Sequence, residues 1–179
     1  MTAEEKAPLR LKKVTLTYSH LEDRIRMDAE EVPGNVVTFW LTQRLCKELV
    51  KSLVVYFNKS DMALTGSSPR SLATVQGFLH QSAKINKKQA DAVAPQPSKI
   101  VLLDKVQLRT SKNVVQMSLS LPGGESAVLA LSLEEARQWM DILYQQYLRA
   151  EWPLQVWPDW VTAKPGHAER EAAGADHLH

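Results

Sequence analysis

Two stretches of this chain carry the same order of apolar residues 90 positions apart, and that repeat constrains the fold more than any other feature. Ile25, Met27 and Ala29 match Val115, Met117 and Leu119. Phe39 and Leu41 match Leu129 and Leu131, and Thr42 matches Ser132. Cys46, Leu49, Val50, Leu53 and Phe57 match Ala136, Trp139, Met140, Leu143 and Tyr147. Leu16 and Tyr18 fall on Val106 and Leu108, while Pro33 and Pro122 are one residue out of step. In each stretch alternation gives way to a helical spacing, so each reads strand, strand, strand, helix. One such unit has a small core. Two can bury their apolar faces on each other. The expected fold is therefore α+β: two strand-strand-strand-helix repeats in one pseudo-two-fold domain, with about six antiparallel strands, two main helices and an extra linker helix.

The first unit spans residues 9–58. Val14, Leu16 and Tyr18 alternate with threonines, whereas Leu9 and Leu11 lie in the opposite phase. A bulge at Lys12-Lys13 or a strand start at Val14 would account for the slip. Ile25, Met27 and Ala29 oppose Arg24, Arg26, Asp28 and Glu30, the pattern of a sheet with one wet face. Val32-Pro33-Gly34-Asn35 is a turn, and a strand follows from Val36 to Leu41. Thr42 is the expected N-cap of a helix whose apolar face repeats at Leu45, Leu49, Leu53 and Phe57. Residues 59–98 form a linker, with a short helix opened by Ser68-Pro69 and a polar connector ending in Pro95-Gln96-Pro97. The second unit covers residues 99–150. It has strands at Ile100–Thr110, Val114–Leu121 and Ala127–Leu131, and a helix opened by the capping-box pair Ser132 and Glu135. Residues 163–179 read as a disordered tail.

Single-stranded nucleic-acid binders of the Whirly, transcriptional-coactivator and Pur types, and sliding-clamp domains, also repeat strands and helices. The Whirly, coactivator and Pur units carry four strands. The similarity is one of topology, and no motif of theirs occurs here.

The net charge of +2 hides a division. Residues 1–112 hold 18 Lys or Arg against 11 Asp or Glu, a net of +7; residues 113–179 hold 4 against 9, a net of −5. Lys84, Lys87, Lys88, Lys99, Lys105, Arg109 and Lys112 form a basic stretch that could follow the phosphates of single-stranded DNA or RNA. Arg44, Lys47 and Lys51 form a second group.

Residues 151–162 hold Trp152, Trp157 and Trp160, separated by Pro153 and Pro158, which favour an extended path. Tryptophans this dense either strap back over their own domain or dock on a protein partner or a second copy of the chain. Trp40 lies opposite the apolar face of its strand and is a weaker docking candidate.

No residues assemble into a catalytic constellation, no phosphate-binding loop occurs, and no cofactor or metal is expected. His167, His177 and His179 fall in the tail, and Cys46 aligns with Ala136 on an apolar face. The lone cysteine, the lack of a secretory leader and the lack of a spanning apolar run lead to the expectation of a cytoplasmic protein with no membrane contact. The leading expectation is a non-catalytic protein-interaction module, with an assembly or regulatory subunit as one form of it. The alternative is a single-stranded nucleic-acid binder using the basic stretch.

Overall fold

The computed structural model describes residues 7–32, 35–65, 69–87 and 96–163. The Pro33-Gly34 turn, the Ser68 cap, Lys88, most of the polar connector and the tail beyond Ala163 lie outside them. The fold is α+β, with eight strands in two mixed sheets and four helices among the described residues. In chain order these are β1 (Leu9–Leu11), β2 (Val14–Ser19), β3 (Arg24–Val32), β4 (Asn35–Leu41), α1 (Gln43–Thr65), α2 (Pro69–Ile85), β5 (Lys99–Leu102), β6 (Val106–Thr110), β7 (Val114–Ser120), β8 (Ser126–Ser132), α3 (Leu133–Ala150) and α4 (Asp159–Thr162).

Eight strands rather than six, and mixed rather than antiparallel sheets, have one cause. Each unit has a fourth strand that crosses to the other sheet. One sheet runs β2-β3-β4-β5, the other β1-β8-β7-β6. β1 lies parallel to β8, with Leu9 opposite Ala127, and β5 lies parallel to β4, with Lys99 opposite Val37. The phase slip at Lys12-Lys13 is therefore neither a bulge nor a late start: the chain changes sheets there. Likewise Ile100–Thr110 is two strands, with the crossing at Leu103–Lys105.

The registers of the other strands follow the sequence pattern closely. Ile25 pairs with Leu41 and Met27 with Phe39; Val115 pairs with Leu131 and Met117 with Leu129. All eight of these residues face inward, and all but the half-buried Leu131 are fully buried. The outermost strands depart from a uniform shift of 90. Leu16 pairs with Met27, but it is Leu108, not Val106, that pairs with Met117. Six residues separate Tyr18 from its partner Ile25, and four separate Thr110 from its partner Val115. The slip is two residues, so every side chain keeps its face.

Local signals account for most boundaries. Thr42 Oγ1 accepts the Leu45 N–H at the start of α1 (3.3 Å). Ser132 and Glu135 close the capping box of α3 in both directions (3.2 and 2.8 Å). Gly123 and Gly124 take φ of 80° and 79° in the turn before β8, a region costly for residues with a Cβ. α1 runs to Thr65, past the expected end near residue 58, because nothing from Lys59 to Thr65 breaks it. Apolar faces from both sheets and from α1 and α3 meet in one contiguous core. No helix among the described residues is long and apolar enough to cross a membrane.

Candidate functional site

The tryptophans after α3 are core residues in this fold. Glu151 ends α3 in the left-handed region, φ 53°, and turns the chain back over the domain. Trp152, Trp157 and Trp160 are then 6%, 6% and 8% exposed. Trp152 meets Tyr147 and Tyr18 edge to face at 5.1 and 5.8 Å, and its indole N–H donates to Asp23 (3.1 Å). The Tyr18 hydroxyl donates to the same carboxylate (2.7 Å), and these two donors hold the Asp23 pKa below its ordinary value. Trp157 packs on Tyr147 and Tyr144, and Trp160 on His80 and Phe57. The expectation that these three side chains offer exposed docking anchors is corrected accordingly: their aromatic partners are the chain's own. Trp40 is half-buried on the outer face of its sheet, opposite Arg26 on one side and Leu102 on the other.

The basic stretch does not gather on one face. Lys84 lies 3.3 Å from Asp141, and Lys99 is bound to Glu125 at 2.6 Å. Lys87 follows the end of α2. Among the described residues Lys105, Arg109 and Lys112 are exposed just before, on and just after β6. Arg44, Lys47 and Lys51 border a separate hollow of about 510 Å³ between α1 and the strap.

A buried polar cluster among the helices was not legible as a unit. Arg137 on α3 grips both oxygens of Asp61 on α1 (2.8 and 2.7 Å), with its guanidinium 4.2 Å from the Phe57 ring centre. His80 on α2 is fully buried against Trp160, with Asp141 at 3.9 Å. Burial lowers the His80 pKa to about 4; Asp141 opposes the shift, while Lys84 and Arg137 add to it. The sign follows from linkage. The unfolded chain binds this proton more tightly, so the stability due to a neutral His80 is complete above pH 6.5 and is lost as pH falls toward 4. The expected loss is about 2–3 kcal/mol between pH 7 and 4.5. Urea unfolding of the wild type and His80→Leu at both pH values measures it, and equal pH dependence in the two proteins would refute the assignment. Cys46 is also buried, which pushes its thiol up to about 12 and leaves it a poor nucleophile.

A second concave surface lies on the other side of α1. Leu45, Glu48, Leu49, Ser52, Val55, Tyr56 and Lys59 of α1 face Val106, Leu108 and Thr110 of β6 across a groove of about 360 Å³. β6 is one of the two outer strands of its sheet, β1 being the other. Ser120 N–H donates to Lys105 C=O at one end of the β6–β7 ladder, and Ser111 N–H to Val114 C=O at the other. Residues 105, 107 and 109 thus turn their backbone groups toward β7, and Ser111 its N–H. By alternation, Val106, Leu108 and Thr110 turn theirs outward, along the groove. In the other sheet the outer strand β2 is covered instead. Gln146 of α3 accepts the outward N–H of Tyr18 (3.0 Å), and Trp152 of the strap lies on the Tyr18 ring. After α1 the chain continues into α2, and among the described residues no such strap crosses β6. Tyr56 closes only one end of the groove, donating to the Ser111 carbonyl (2.7 Å). Among the described residues no cluster of His, Cys, Asp and Glu could hold a metal ion. No protein-family model, curated protein or solved structure matches the chain.

Proposed function

We propose that this protein is a non-catalytic interaction module, an assembly or regulatory subunit, that receives a protein partner in the groove between α1 and β6. The two strand-strand-strand-helix units are interlocked about an approximate two-fold axis, each lending its first strand to the other's sheet. The reciprocal registers support this: Leu9 and Lys99, and Ala127 and Val37, are each 90 residues apart. The observation that carries the functional reading is the uneven cover of two of the outer strands, β2 and β6. The symmetry would treat β2 and β6 alike, yet among the described residues only β2 has a strap. Val55, 53% exposed, leaves apolar surface on the groove wall. An open edge beside apolar surface invites another chain.

Val55→Arg tests the reading, since this exposed residue can change without disturbing the core. Peptides selected from a random display library on the wild-type protein are expected to bind Val55→Arg at least about tenfold more weakly. Peptides that bind both proteins equally would refute the groove as the docking surface. A second reading, single-stranded nucleic acid, is favoured by the three exposed cations Lys105, Arg109 and Lys112 on the same strand and turn. It predicts binding of a short oligothymidylate that weakens steeply with salt.

A further inference from the structure

We infer that the groove takes its partner by β-strand addition, and that the segment it fits is extended, with apolar and acidic residues in alternation. This rests on the docking reading above and adds the mode and the chemistry. The outward N–H and C=O groups of Val106, Leu108 and Thr110 supply a ladder for an added strand. Such a strand has two faces. On one, its side chains enter the groove and meet Leu45, Leu49 and Val55. On the other they stand beside the outer face of β6, where Lys105 and Arg109 project on the same side as Gln107.

Charge decides what belongs on that second face. Lys105, Arg109 and Lys112 are exposed. Lys59 lines the groove, whose one carboxylate, Glu48, is held by Lys51 at 3.0 Å. Opposite charges on adjacent strands attract and like charges repel. An acidic residue at every second position matches this edge. A second copy of the chain, offering its own β6, would set two basic rows side by side, so the complement is a partner segment. The other sheet shows what covers an outer strand: a side-chain acceptor for its free N–H and an apolar side chain above it.

The test titrates the full chain with a short synthetic peptide alternating valine and glutamate. The expected result is saturable binding, mapped to β6 and α1 by amide shifts. Binding should weaken about tenfold or more when the peptide is N-methylated at alternate nitrogens, when glutamate becomes lysine, or when the protein carries Thr110→Pro. Thr110 is exposed and its N–H points away from β7, so proline there blocks addition without removing a ladder bond. The N-methylated peptide tests the mode without altering the protein. Equal binding of the N-methylated peptide would overturn strand addition while Val55→Arg still decides the docking reading. Equal binding of the lysine peptide would overturn the acidic preference. If oligothymidylate binds at β6 and no peptide does, the surface is a nucleic-acid edge and the inference fails. No binding of either peptide also overturns it.

Discussion

A chain ending at Arg149 is expected to be unfolded. The truncation removes Trp152, Trp157, Trp160 and Val161, all buried in the core. Each buried tryptophan removed costs on the order of 3–5 kcal/mol. Three of them together are comparable to the total stability of an ordinary domain, about 5–15 kcal/mol. The strap also packs on the Tyr18 ring of β2 and holds Asp23, so its loss exposes the rings of Tyr18 and Tyr147. Circular dichroism and urea titration would read this as loss of the cooperative transition. A truncated chain that keeps a sharp transition would show that the strap is an accessory and not part of the core. Trp157→Ala grades the effect, with an expected loss of about 3–5 kcal/mol in the intact chain.

Arg137→Met is expected to destabilise the protein by about 3–5 kcal/mol, because it leaves the Asp61 carboxylate buried without its guanidinium. Both side chains are almost completely enclosed, at 4% and 2% exposed. The guanidinium also packs over Phe57 and toward Trp160, so its removal loosens the contact between α1, α3 and α4. The double variant Asp61→Leu with Arg137→Met is expected to recover most of the loss, since it removes both buried charges and keeps the volume. Urea midpoints of the three proteins measure this. A single-variant loss below about 1 kcal/mol would mean that the pair is solvated and carries little.

The strap and the groove bear on each other. The strap shows how this fold packs an outer strand from within, and among the described residues β6, an outer strand of the other sheet, has no strap. Strap variants should therefore act on stability, whereas Val55→Arg and Thr110→Pro should act on binding with little change in melting. That separation distinguishes core residues from a docking surface more clearly than either set of variants alone.

Much of the architecture was legible because alternation and helical spacing are local. Ile25, Met27 and Ala29 had to share a face, and Leu45, Leu49, Leu53 and Phe57 had to share a helix side, whatever lay opposite. The caps at Thr42 and Ser132 are equally local, a side chain and a backbone donor three residues apart. Inward-facing residues, three hairpin strands per unit and the helix that follows are thus properties of the chain itself. The tertiary structure decided which sheet each strand joins, because a strand's pattern names its buried face but not its neighbour. Leu9 beside Ala127 and Lys99 beside Val37 are contacts between opposite halves of the chain. It also decided that Arg137 meets Asp61, 76 residues away, since a charge in a helix carries no mark of the partner that will neutralise it. That β6 ends its sheet among the described residues was invisible for the same reason: an edge is defined by what fails to pack against it, and only the assembled fold contains that fact.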